Sequence, residues 1–161
     1  MKNILLIIRN RKGNMSLWAV IMVLILCLVF AGIFEYMRVY TVASTVKTTI
    51  QQDLESTTMQ AARDSYQSVK LYSLYSPYVN QTDFEIKVCY DLGLAKQGNI
   101  FYCVSDNVAK FYIVNPVLTY SVTTSLNLTY TFNLQIPVFY FGKQISTADI
   151  PITSNATYQF K

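Results

Sequence analysis

The stretch that decides the fold is LWAVIMVLILCLVFAGIF, residues 17–34, which runs for eighteen residues without a charge. At about 1.5 Å of rise per residue, this run and its flank from residue 14 match the ~30 Å hydrocarbon core of a bilayer as one helix. Four of the thirteen Lys and Arg residues precede the run, and the other nine are matched by nine Asp and Glu residues. The positive-inside rule therefore predicts a single-pass cell-membrane protein with a cytoplasmic N-terminus and an extracytoplasmic C-terminal part.

A cleaved secretory signal is the alternative interpretation of the same segment. Signal peptides have an apolar core of roughly 7 to 15 residues that is followed closely by small residues. The run here is longer, and the sequence EYMR follows it directly at residues 35–38. The next small-residue site, Val42-Ala43-Ser44, lies too far along the chain. The pattern favours a retained anchor, and membrane lipid is the first predicted partner.

Apolar or small residues continue past the membrane run at helical spacing, and no proline interrupts residues 14–76. Pro77 ends this pattern because the residue before a proline is pushed out of the helical region. We expect a basic leader at 1–13, a transmembrane helix at 14–37 and an extracytoplasmic continuation of that helix at 38–76. The predicted stripe, which must be buried against something, consists of Val39, Val42, Val46, Ile50, Leu54, Thr57, Ala61, Ala62, Tyr66 and Val69.

After Pro77 the apolar period changes to two, which predicts a small β-rich domain at 77–161. Strands are expected at 84–89, at 100–104 after the turn residues 93–99, and at 125–136, where apolar and hydrophilic residues alternate most regularly. Pro137 is expected to end the pairing or to lie at an edge, and residues 150–160 are expected to return beside 125–136. The predicted fold class is α+β, with one long N-terminal membrane-spanning helix packed on a small antiparallel sheet.

Two cysteines of the predicted exported part are candidates for a disulfide. Cys89 and Cys103 would face each other across the hairpin formed by 84–89 and 100–104, and an oxidising compartment favours pairing. The alternative is two free buried thiols. Cys27 is expected to be a small apolar residue of the membrane helix.

The chain contains no histidine, which removes the usual general base and the commonest metal ligand. The acidic pairs Asp53 with Glu55 and Asp83 with Glu85 are predicted to be solvated surface rather than catalytic dyads. No glycine-rich phosphate loop is present, and the part after the membrane run is neutral. We therefore predict no enzyme, no catalytic residue, no cofactor, no metal and no nucleic-acid partner.

The chain resembles the TadE/TadG-like minor pilins of tight-adherence (Tad) pilus systems in three consecutive features. These are a basic leader that ends at Gly13, an apolar helix, and the motif GIFEYMRVY at residues 32–40. The resemblance implies a type IV pilin-like fold, other pilin-like subunits and pilus assembly machinery as partners, and cleavage by a prepilin peptidase after Gly13, which leaves Asn14 first. These families usually place Glu at the fifth mature position, where this chain has Trp18. The departure implies a minor or priming subunit.

Three residues are candidates for a role in assembly: Trp18, Glu35 and Arg38. Glu35 is expected either to pair with Arg38 at the membrane boundary or to meet a neighbouring subunit. The predicted function is that of a membrane-anchored pilin-like subunit for surface attachment, in the cell membrane or in an extracellular pilus. The alternatives are a membrane-tethered extracytoplasmic binding or sensor module and an accessory subunit of a secretion or cell-envelope complex.

Overall fold

The computed structural model describes residues 11–72, 77, 79–105, 108–123, 125–140 and 142–159. Within these residues, two helices pack on one antiparallel sheet of five strands, which are ordered β1-β2-β3-β4-β5. The elements are α1 Arg11–Tyr72, α2 Gln81–Leu92, β1 Ala95–Gln97, β2 Ile100–Ser105, β3 Val108–Val122, β4 Ser125–Tyr140 and β5 Lys143–Gln159. The predicted α+β fold, with one long apolar N-terminal helix and an antiparallel sheet, is confirmed.

Helix α1 is uncovered along its first half and packed against the sheet along its second half. Side chains at 15–30 and 32–34 are exposed, and the buried face begins beyond them with Val46, Ile50 and Leu54. Because these three residues are spaced four positions apart, they lie on one face of the helix, which packs on β4 and β5. The predicted stripe is confirmed up to Ala62, whereas Tyr66 is exposed and the side chain of Val69 lies outside the described residues.

Strand β4 is the centre of the core because its alternate residues are all apolar. The residues that face α1 are almost fully buried, and the Ser, Thr, Asn and Gln residues between them lie on the opposite face of the sheet. Strand β5 pairs with β4 along its whole length, which confirms the predicted return strand as far as the described residues extend. The buried side chains of β4 are Leu126, Leu128, Tyr130, Phe132, Leu134 and Ile136.

The strand predicted at 84–89 is wrong, because this segment lies inside helix α2. Asn80 caps the helix by accepting a hydrogen bond from the backbone nitrogen of Thr82 at 3.0 Å, and Gly93 ends it in the left-handed conformation. Phe84 and Val88, which alternate with polar residues, are also four residues apart and both are buried. The short apolar pattern is compatible with a period of two and with a period of 3.6, and the two caps identify the segment as a helix.

Strand β3 was not predicted, and Pro137 does not end β4. Strand β3 contains an irregularity between Val114 and Val117, where Asn115 adopts a positive φ of 53° and Pro116 is buried. This bulge interrupts the alternation that identifies a strand in a sequence. Strand β4 continues through Pro137 to Tyr140 with β5 as its partner, while its described pairing with β3 ends at Gln135.

Candidate functional site

Exposed large apolar side chains of the described residues are concentrated on the first half of α1, which makes this surface a candidate for interaction. Among the described residues, α1 is the one helix that is long and apolar enough to cross a membrane, and its most apolar window is entirely unburied. Trp18 is 60% exposed, and no described atom other than the adjoining helix backbone lies within 4 Å of the position that a Cβ would occupy on Gly32. The bond between Gly13 and Asn14 lies in the first turn of the helical backbone, and the side chain of Asn14 is outside the described residues. The described part of the chain therefore leaves this surface free for lipid or for other subunits.

Glu35 and Arg38 are brought together at the end of this apolar surface and connect the helix to the sheet. The Arg38 Nε donates to Glu35 Oε2 at 3.0 Å, and Arg38 Nη2 donates to Glu35 Oε1 at 2.7 Å. Glu35 Oε1 also accepts from the backbone nitrogen of Phe139 at 2.7 Å, and Arg38 Nη2 donates to the carbonyl oxygen of Pro137. We call these four residues the helix–hairpin clasp. It makes the predicted pairing of Glu35 with Arg38 part of a tertiary contact.

The clasp satisfies backbone groups that the sheet itself leaves without a β3 partner. Pairing of β4 with β3 ends at Gln135, and the register of β4 against β5 shifts between Val138 and Phe139. A half-buried backbone N–H or C=O must find a partner, and a charged side chain supplies a strong one. The Arg38 guanidinium carbon also lies 5.5 Å from the centroid of the Phe139 ring, within cation–π range. The clasp therefore fixes where the end of β4 sits along α1.

A second polar cluster joins α1 to α2. Asp53 on α1 is 5% exposed, so the prediction that it is solvated is wrong. Lys87 lies with its Nζ 3.5 Å from Asp53 Oδ1 and also donates to the hydroxyl of Ser56. Burial and the neighbouring carboxyl of Asp91 raise the pKa of Asp53 to about 6, and Lys87 opposes this rise. The carboxyl group of Asp53 is therefore partly protonated near neutral pH, in which state it has a proton to share with Asp91.

Glu85 and the two cysteines occupy the other side of α2. Glu85 is 8% exposed, which corrects the prediction of a solvated pair, and its Oε2 accepts from Lys96 Nζ at 2.6 Å. Cys89 and Cys103 are free thiols in the structure, so the predicted disulfide is not formed. Its premise fails because Cys89 lies on a helix rather than on the strand facing 100–104. Both thiols are half-buried against the core, and burial raises the pKa of Cys89.

The predicted assembly residues do not form one site. Glu35 and Arg38 are in contact, whereas Trp18 lies seventeen residues earlier on the same helix, or about 25 Å away at 1.5 Å per residue. Sequence reasoning missed the partners of Glu35, which are backbone groups about one hundred residues distant. The one local signal for them was Pro137, two residues before Phe139, at the end of an otherwise regular strand.

No metal-ligand group is found in the part of the chain that the structure describes: no three His, Cys, Asp or Glu residues lie close enough to hold an ion. Comparison with protein-family models, with curated proteins and with solved structures returns no match for this chain.

Proposed function

We propose that this protein is a membrane-anchored, pilin-like subunit that takes part in assembling a Tad or type IV-like pilus for surface attachment. One observation carries the proposal: the helix that forms the spine of the folded domain continues, without a break, into an apolar segment that the domain leaves uncovered. Such a segment is stable in lipid, and in a filament the same surface would be buried against the helices of other subunits.

Gly32 supports packing between subunits rather than within the chain. Glycine weakens a helix interior by roughly 0.5 to 1 kcal/mol relative to alanine, and among the described residues no group outside the adjoining helix backbone approaches Gly32 closely enough to require it. Small residues in membrane helices allow another helix to come close. A partner helix is therefore a reason for glycine at this position that the chain alone does not provide.

The clasp changes the proposed role of Glu35. Because its carboxylate already accepts bonds from Arg38 and from the Phe139 backbone, Glu35 acts mainly on the geometry between helix and domain. Trp18 lacks the carboxylate that would neutralise a new amino terminus at Asn14, and a buried ammonium without a partner costs several kcal/mol. We therefore propose a minor or priming subunit, which is needed in few copies, rather than the bulk of a filament.

Processing and assembly are tested in the native host with Gly13→Ala and Gly32→Leu. Intact-mass analysis should find a mature chain that begins at Asn14, and Gly13→Ala should retain the leader. Electron microscopy should show fewer surface pili in both variants while the protein stays in the membrane. Ile33→Leu, which keeps an apolar residue next to Gly32, is the matched control, and cells that carry it should show the normal number of surface pili.

Normal piliation in both Gly13→Ala and Gly32→Leu would refute the pilus proposal. An accessory subunit of a secretion or cell-envelope complex would then be the better description, because such a subunit also needs an uncovered helix but makes no filament. A membrane-tethered binding module would instead leave the membrane complexes intact in both variants.

A further inference from the structure

The turn between β4 and β5 lies at the same end of the domain as the exit of the apolar segment of α1. Glu35 contacts Phe139, whereas Gln51, sixteen residues farther along α1, donates at 2.9 Å to the carbonyl oxygen of Asn155. Asn155 pairs with Thr129 on β4. Strand β4 therefore runs antiparallel to α1, and the residues that follow Phe139 continue toward the apolar segment.

The helix–hairpin clasp determines the position of the turn between β4 and β5 relative to the membrane surface. Glu35 is the first charged residue after the apolar run, so it marks the boundary between hydrocarbon and headgroups if the run crosses a bilayer. Phe139 is held at this level by its hydrogen bond to Glu35. Ala31, one helical turn closer to the membrane centre, is half-buried, whereas the other residues between 15 and 34 are exposed.

The side chains at this level have the chemistry of an interfacial contact. We define the hairpin foot as Phe139, Tyr140, Lys143 and Ile145. Ile145 has no partner in the register of β4 with β5, because it is the extra residue of a bulge, and it is 63% exposed. Lys143 is exposed and is the one charged residue between 136 and 148. An aromatic, apolar and basic set without an acid matches the region where lipid headgroups meet acyl chains.

Two exposed aromatic residues of α1 lie within about one and a half helical turns of Glu35. Tyr36 and Tyr40 are 69% and 60% exposed, and their rings stack with centroids 6.5 Å apart. Tyrosine at the membrane surface places its ring among acyl carbons and its hydroxyl among headgroups. The helix and the hairpin therefore present interfacial side chains to one layer.

We propose that the hairpin foot rests in the lipid headgroup layer next to the domain and forms a second membrane contact beside α1. This rests on the membrane-anchor part of the proposed function and not on the pilus. With the clasp, two points of contact set the tilt and rotation of the domain relative to the bilayer, which a single helix leaves unset. Withdrawal of the subunit into an assembly would then require the foot to leave the lipid.

The test places a tryptophan in the foot of the full-length protein reconstituted in phospholipid vesicles. The variant combines Ile145→Trp with Trp18→Phe, so that it contains one tryptophan. The matched control combines Thr157→Trp with Trp18→Phe, because Thr157 is an exposed residue at the opposite end of β5. Both substituted side chains are exposed, so the core is unchanged. Fluorescence is measured with nitroxide-labelled lipids and with aqueous iodide.

If the hairpin foot lies in the headgroup layer, a nitroxide near the lipid ester carbonyls should quench the fluorescence of the Ile145→Trp variant more strongly than a nitroxide near the ends of the acyl chains. The proposal also expects weaker quenching by iodide than in the Thr157→Trp control. Equal behaviour of the two variants, with iodide access and no lipid quenching, overturns the proposal. The unsubstituted chain, in which Trp18 is the tryptophan, tests the anchor separately from the hairpin foot. If lipid nitroxide quenches Trp18 but not the tryptophan at 145, the anchor is supported and the foot proposal is refuted. If neither is quenched, both the anchor and the foot are refuted.

Discussion

Asp53 shows how one residue changes character when two helices pack. On α1 alone it would be a surface carboxylate, but α2 covers it and places Asp91 beside it. A carboxyl group whose pKa is higher in the folded state than in the unfolded chain binds more protons when folded over the interval between the two values. The contribution of Asp53 to stability is therefore fully present below its unfolded-state pKa of 3.8 and is lost as the pH rises through about 6.

Asp53→Asn is expected to stabilise the protein at pH 7 and to leave it little changed at pH 4. The amide is neutral at both pH values and can donate to Asp91. The pKa of Asp53 rises from 3.8 to about 6, and one pKa unit corresponds to about 1.4 kcal/mol, so the gain at pH 7 should be on the order of 3 kcal/mol. Urea unfolding of the full chain in detergent at the two pH values measures it. Asp64→Asn, an exposed residue of the same helix, should change neither value. Equal destabilisation by Asp53→Asn at both pH values would show that the ion pair with Lys87 dominates instead.

Glu35 is the second residue whose role depends on distant contacts. Removing its carboxylate leaves the Phe139 N–H without its acceptor, and an unsatisfied half-buried donor costs about 1 to 3 kcal/mol. Hydrogen–deuterium exchange of the Phe139 amide should therefore become faster in Glu35→Ala. Glu35→Gln retains an acceptor oxygen and should exchange at an intermediate rate.

Glu55→Ala is the control for this measurement, because Glu55 bonds only the side chain of Gln51 among the contacts described. The amide of Phe139 should exchange in that variant as in the unsubstituted chain. An unchanged rate in Glu35→Ala would mean that the clasp does not hold the end of β4 in solution.

At the scale of elements, α2 closes the core that α1 leaves open over β4. The Phe84 ring packs edge-on against Tyr130, with centroids 4.9 Å apart and planes at 69°. Both residues are almost fully buried, and burial raises the pKa of the Tyr130 hydroxyl. The helix thus contributes through one aromatic contact and a few neighbouring apolar residues.

Phe84→Ala is expected to lower the free energy of unfolding by about 3 to 5 kcal/mol, because the truncation leaves a cavity against Tyr130. Ile86→Ala, on the same helix but 63% exposed, should change it by less than about 0.5 kcal/mol. Denaturant unfolding followed by circular dichroism measures both. Similar losses in the two variants would be expected of a strand, in which residues two positions apart share one face, and would contradict the helical assignment.

At the scale of the whole molecule, the orientation in the membrane is predicted from the charge asymmetry. The four basic residues before the apolar run should stay in the cytoplasm and the folded domain outside. In intact cells, a membrane-impermeant maleimide should label a Thr157→Cys variant and leave a Lys12→Cys variant unlabelled, with the unsubstituted chain as background for Cys27, Cys89 and Cys103. Labelling of the second variant alone would reverse the topology.

The features that the amino-acid sequence by itself determined are those that depend on local periodicity. The uncharged run at 17–34, the helical stripe through Val46, Ile50 and Leu54, and the alternation at 125–136 all appear in the structure as predicted. In each case the pattern extends over many residues, so solvent preference alone separates a period of 3.6 from a period of two.

Only the tertiary structure determined the features that depend on which elements pack against each other. The segment 84–89 is too short for its period to identify it, and its two caps and the packing of Phe84 make it a helix. Glu35 and Arg38 are neighbours in sequence, but the strand end that they hold lies about one hundred residues away. Burial of Asp53 follows from how α2 packs against α1. These contacts join parts of the chain that are distant in sequence. Their free energy comes from the burial of one surface against another, so no local sequence pattern predicts them.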